Sequence, residues 1–267
     1  MKILVCIKQV LESASALEIN TEKKWIADDD GSIEYRMNRF DEYALEEAVL
    51  IKERFPDVSV DVVSVGPDRV KDTLKRALGK GADNAIHINY PEPQYDPGYI
   101  DSHTVSSLIA EYAAPKQFDL IFAGVMSEDG MHCMVGPLIA ASLCIPCAVS
   151  VIKEELNREE KTVTADCEME GGMSEKAILE LPALLTIQSG INHPRYPSLS
   201  NMLRSKSQKI LTIDSDDSDK FSPGKKGDTV FSISFPERAT DCTMIDGTAD
   251  EKAERLLGIL REKTLIK

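Results

Sequence analysis

The chain has 267 residues, 42% of them hydrophobic, enough for one large or two modest domains with a normal core. Its net charge of -14, from 45 acidic against 31 basic residues, argues against nucleic acid and anionic membranes as partners and suits a protein surface with a basic patch. No apolar run approaches the ~20 residues of a membrane-spanning helix. Residues 1–8 are too short and too lysine-flanked for a signal peptide, so the six cysteines read as reduced thiols of a cytoplasmic protein.

Residues 2–8 form the first apolar strand. Residues 17–20 and 25–27 read as short extended pieces around an acidic turn at 28–31. A helix opens at Asn38 to Asp41 and runs to about Arg54. Asn38 or Asp41 can cap it, and Glu42, Glu46 and Glu47 suit its positive end. Residues 58–65 are nearly continuous in valine, as a strand buried on both faces requires. A helix at 68–79, a strand at 85–88, a Pro/Tyr-rich loop at 89–98, a helix at 102–114 and a strand at 118–123 follow. Residues 131–143 read as a helix, and Pro146 leads into a strand at 147–152.

Strands alternating with helices predict right-handed βαβ units, that is, an α/β fold with a Rossmann-like parallel sheet flanked by helices. Ligands in such sheets bind beyond the carboxyl ends of the strands. From Val151 the pattern becomes antiparallel. A hairpin with a charged turn covers 154–164, and a second strand pair turns at Gly171-Gly172. Residues 181–187 form an apolar strand. The segment Asn192-His193-Pro194-Arg195-Tyr196-Pro197 is stiffened by two prolines and leads past Leu199 into a helix at 202–209. That segment is either a docking loop or a buried turn shaped by its prolines. A strand at 210–213, a polar stretch at 214–228 and an amphipathic helix at 248–263 complete the chain. The domain reading is 1–209, including a recognition loop at 190–209, and a C-terminal arm at 210–267 that packs on a partner.

Cys144-Ile145-Pro146-Cys147 has CxxC spacing, but zinc needs four ligands and no second pair exists, so these cysteines read as structural and no metal site is expected. No nucleophile–base pair or carboxylate pair stands out, so no catalytic residue is assigned. Gly124 to Gly130 lies between a strand and a helix, where free N–H groups can hold phosphate. It contains neither Gly-Lys-Ser/Thr nor GxGxxG.

Six segments, in order, resemble the β (small) subunits of electron transfer flavoproteins. They are Val5-Cys6-Ile7-Lys8-Gln9-Val10; Met37 through Ala48; Ser64-Val65-Gly66-Pro67 with Arg76 through Asp83; Gly124 through Pro137; Glu170-Gly171-Gly172 followed by Leu181-Pro182-Ala183-Leu184-Leu185-Thr186; and Asn192 through Leu199. The resemblance implies a heterodimer with a larger α subunit that holds most of the FAD site, and AMP or a second FAD in this chain. By position, the nucleotide contacts would be Cys6, Asn38, Arg39, Phe40, Asp41, Val65, Gly124, Asp129, Gly130, His132, Cys133, Met134 and Val135. Leu199, with Tyr196 and Arg195, would grip partner flavoenzymes of the acyl-CoA dehydrogenase type. Electrons would pass to a quinone-linked or Fe–S acceptor. Where the family commonly carries Thr, Gln or Asn donors to phosphate, this chain has Met131 to Val135, leaving backbone N–H groups and His132. The resemblance thus implies an electron carrier rather than an enzyme. Alternatives are an NADH-oxidising, electron-bifurcating subunit with its own FAD, and a nucleotide-binding regulatory α/β module.

Overall fold

A computed structural model describes residues 1–12, 15, 17–20, 25–26, 33–90, 100–216, 233–235 and 242–266. The acidic turn expected at 28–31, most of the Pro/Tyr-rich loop and most of the polar stretch lie outside these residues. In chain order the elements are β1 (Lys2–Cys6), β2 (Gln9–Leu11), β3 (Ile19–Asn20), β4 (Trp25–Ile26), β5 (Tyr35–Met37), α1 (Arg39–Arg54), β6 (Ser59–Gly66), α2 (Val70–Lys80) and β7 (Asn84–Asn89). Then come α3 (Ser102–Ala113), β8 (Leu120–Gly124), α4 (Val135–Leu143), β9 (Cys147–Asn157), β10 (Thr162–Glu168), β11 (Ser174–Glu180), β12 (Ala183–Ile187), α5 (Leu199–Ser207), β13 (Ile210–Asp214) and α6 (Ala249–Glu262).

The fold is α/β, with one sheet in the order β11-β10-β9-β12-β8-β1-β6-β7-β13. From β9 to β13 every neighbouring pair is parallel, while β9, β10 and β11 pair antiparallel. Side chains alternate across the strands, so β1 feeds two cores. Ile3 and Val5 pack with Ala44, Leu45, Leu74 and Leu78 of α1 and α2. Leu4 and Cys6 pack with Ile109, Tyr112 and Ile139 of α3 and α4. Gly136 keeps α4 close to the sheet, because a Cβ there would stand 2.5 Å from Thr186 Cγ2.

Two expectations change. Residues 131–134 are not helical: Met131 and Cys133 have left-handed φ of 53° and 55°, so α4 starts at Val135. Pro137 then falls in its first turn, where no N–H is missed. The helix after the prolines starts at Leu199, earlier than 202, because Ser198 caps it by accepting from Asn201 N. The strand expected at 210–213 is found at 210–214, at the sheet edge and paired with β7. Ile210 and Ile213 pack against the two cores, which holds that strand on the sheet.

The chain divides into compact units Met1–Ile233 and Ser234–Lys267. In the second, α6 opens with a capping box in which Thr248 and Glu251 satisfy each other's backbone N–H. No helix among the described residues is long and apolar enough to cross a membrane.

Candidate functional site

Strand order reverses beside β1. The chain moves from β1 to β6 and β7 on one side, then returns to place β8, β12 and β9 on the other. The crevice beyond the carboxyl ends of β1 and β8 is therefore the topological switch point where such sheets bind ligands. One carboxylate closes its floor. Asp41, in the first turn of α1, accepts the Lys8 N–H at 2.7 Å and the Gly124 N–H at 3.0 Å, tying both strand ends to that helix. Burial pushes the Asp41 carboxyl up to about 7, against the lowering effect of its bonds to Lys8, Asn38 and Gly124. Burial, with Asp41 nearby, also pushes the Cys6 thiol well up, so it is no thiolate.

The loop after β8 is laced to the start of α1. Asn38 occupies the N-cap position without capping. Its Nδ2 instead donates to Met126 O at 2.9 Å, and its Oδ1 accepts Glu128 N at 3.1 Å. Glu128 accepts Arg39 N at 3.1 Å and pairs with Arg36 at 2.9 Å. Lys8 Nζ spans the crevice to Asp129 at 2.7 Å and Ser127 Oγ at 3.3 Å. Partial burial works against the Asp129 charge, but Lys8, Ser127 and the Gly130 N–H outweigh it and hold its carboxyl below the usual range.

Of the sequence candidates, Asn38, Asp41, Gly124, Asp129 and Gly130 converge through these bonds. Cys6 and Val65 end neighbouring strands beneath them. Arg39 enters through its backbone, and Phe40 lies beside Gly124. His132 and Cys133 are exposed ahead of α4, and Met134 holds the N-cap position without a side-chain cap. Val135 therefore opens a helix with no side chain capping its first turn. Lys8, Arg36, Ser127 and Glu128 were not among the candidates. Lys8 carried a signal as a cation at the end of the first strand, and Ser127 and Glu128 lie within the Gly124 to Gly130 stretch that the sequence points to.

Cys144 and Cys147 are free, exposed thiols, and partial burial pushes Cys147 up to about 11. Among the described residues no cluster of His, Cys, Asp or Glu could hold a metal ion.

The second candidate region is the segment into α5. Tyr196 and Leu199 are 95% and 74% exposed, with Leu203 at 59%. Arg195 turns inward instead, onto Glu46 and Glu53 of α1.

A mostly parallel sheet flanked by helices, with a polar crevice at its switch point, defines an α/β protein with a Rossmann-like fold. The sequence profile of the electron transfer flavoprotein domain matches residues 29–218. The chain is 33% identical to the electron transfer flavoprotein subunit beta of Methylophilus methylotrophus over 98% of both chains. It is 31% identical to that of Bacillus subtilis over the full length of both, and 28% identical to the human one over 94% of both. The chain belongs to the electron transfer flavoprotein β-subunit family, whose members are electron carriers.

Proposed function

We propose that this chain works beside an electron transfer flavoprotein α subunit, holds AMP in the β1/β8 crevice, and docks acyl-CoA dehydrogenase-type flavoenzymes through Leu199. FAD, held mainly by the α subunit, supplies the electron shuttling when bound, and a quinone-linked or Fe–S protein receives the electrons. The observation that carries the nucleotide reading is the polar crevice at the β1/β8 switch point, where Lys8 reaches Asp129 and Asn38 pins the loop that leads on to the uncapped start of α4. The Val135 and Gly136 N–H groups, Pro137 having none, would take the phosphate in a loop without Thr or Gln donors. One phosphate fits such a donor set better than a pyrophosphate, so AMP is favoured over a second FAD.

The α-subunit partner is supported by apolar side chains exposed on the antiparallel end of the sheet. Val149, Ile152 and Ile178 are 48%, 36% and 72% exposed, with Met169 and Met173 beside the turn at 47% and 68%. The edge strand β11 leaves backbone groups unpaired there.

Extraction of nucleotide from the co-expressed heterodimer tests the reading. One FAD and one AMP per dimer are expected. Two FAD with bleaching by NADH would establish the bifurcating subunit instead, and a flavin-free chain that assembles with no α subunit would leave the regulatory module.

A further inference from the structure

The segment between β12 and α5 is fastened to a single helix. Asn192 Nδ2 donates to the Tyr43 carbonyl at 3.0 Å and to Glu47 Oε2 at 2.8 Å. Arg195 donates its backbone N–H to Glu46 Oε2 and its Nε to Glu46 Oε1, both at 2.9 Å. Its two terminal nitrogens reach the two Glu53 oxygens at 2.5 and 3.0 Å. Glu46 and Glu53 are two turns apart on α1, so they share one face. Glu46 is 5% exposed, a buried carboxylate that Arg195 neutralises. Losing one partner of such a pair leaves a buried charge uncompensated.

The other side of α5 is set by α2. Ser205 is buried, and Gly79 leaves room for Pro197 and Ser205, whose atoms would lie 3.4 and 3.7 Å from a Cβ at that glycine. Tyr196 follows Arg195 directly and points to solvent, and Leu199 begins α5 one residue after the Ser198 cap. The stance of both exposed side chains is thus fixed by the residue between them and α1. All three guanidinium nitrogens are taken by α1 carboxylates, which leaves Arg195 poorly placed to recognise an acid on another protein.

We propose that Arg195 is a positioning residue for docking: it clamps the segment to Glu46 and Glu53, sets where Tyr196 and Leu199 stand, and makes no partner contact itself. This rests on the docking reading above. The clamp also gives the buried Glu46 a purpose beyond stability, since it reaches the docking surface only through Arg195.

The test uses the FAD-loaded heterodimer with an acyl-CoA dehydrogenase as electron donor, and backbone hydrogen exchange of residues 196–207 without it. Arg195→Ala and Glu46→Gln should each raise KM for the heterodimer about tenfold at unchanged kcat, and the double variant should be no worse than either, as for residues acting as one unit. Glu53→Gln, at an exposed carboxylate that leaves the core alone, should shift KM in the same direction by less. Arg195→Lys should recover part of the loss, because one ion pair survives but the fork does not. Exchange over 196–207 should quicken in step. Wild-type KM and exchange in both glutamine variants, with docking lost only in Arg195→Ala, would overturn the proposal in favour of direct contact. Leu199→Ala with unchanged KM would sink the docking reading alone, because the exchange rates report the clamp without any partner.

Discussion

Gly124 at the end of β8 donates its backbone N–H to Asp41 Oδ1 at 3.0 Å, across 83 residues of chain. The bond requires the bare backbone of glycine. A Cβ on Gly124 would overlap Asp41 Oδ1 and stand 2.6 Å from Phe40 Cβ and 2.9 Å from the Asp41 backbone nitrogen. Helix α1 would have to move off the strand end. Gly124→Ala should therefore cost about 1–3 kcal/mol, the usual range for overpacking. A lower urea midpoint at unchanged slope checks this, and the heterodimer should also lose nucleotide, because the same shift opens the crevice.

Asp41 and Glu47 predict how stability depends on pH. Burial pushes both carboxyls up to about 7, and for Glu47 the neighbouring Glu154 adds to the effect while Asn192 and Arg54 oppose it. The native state therefore binds protons more tightly than the unfolded chain. This contribution to stability is complete below the ordinary carboxyl range and is lost as pH rises through the native values, so unfolding free energy should fall from about pH 5 to about pH 8. Glu53 and Asp57, whose carboxyls are lowered by bonds to Arg195 and Arg158, act the other way only at more acidic pH. Urea melts at four pH values check the slope. Asp41→Asn and Glu47→Gln should each flatten it, and a curve unchanged in both variants would refute the assignment.

The βαβ frame was legible because burial on both faces leaves a mark in the sequence itself, as in the valine-rich Ser59–Gly66 strand. The site was legible only in part. Asp41 and Asn38 look like ordinary helix-start residues, and their local context supports that reading. Their partners lie 33, 83 and 88 residues away, at Lys8, Gly124 and Met126, and no local spacing encodes those meetings. The contacts of Arg195 were hidden for the same reason. A cation beside two prolines on a polar loop reads as a surface contact until Glu46, 149 residues earlier, is seen to face it. The non-helical run Met131 to Met134 was hidden because its apolar side chains fit a helical pattern, whereas left-handed backbone at Met131 and Cys133 decides otherwise.

Asn38 holds the loop after β8 with two bonds, beside the ties that Glu128 makes to Arg39 and Arg36 and that Lys8 makes to Ser127 and Asp129. Asn38→Ala removes the donor to Met126 O and the acceptor for Glu128 N. Asn38 is 1% exposed, so water does not readily replace either partner. Each unmet buried group costs about 1–3 kcal/mol, less whatever the loop recovers by opening to solvent. Quicker hydrogen exchange at residues 125–130 should accompany a smaller global loss, and nucleotide affinity should fall with it. Asn38→Asp keeps an acceptor for Glu128 N but turns a carboxylate on the Met126 carbonyl, so it should not restore the wild type.

Leu199→Ala separates docking from folding. The side chain is 74% exposed and stands first in α5, where alanine is a good helix former and the Ser198 cap remains. Stability should stay within about 0.5 kcal/mol of the wild type, as for surface substitutions. If Leu199 fills a pocket on the partner flavoenzyme, its loss removes about 1.5–3 kcal/mol of apolar burial, which is roughly a 10- to 150-fold rise in KM for the heterodimer. Nucleotide content and α-subunit assembly should not change, since the crevice at β1 and β8 lies in other elements. Stopped-flow transfer from an acyl-CoA dehydrogenase, with size-exclusion and nucleotide extraction as controls, gives all three readouts. A variant that melts early or sheds its α subunit would instead make Leu199 a structural residue of α5.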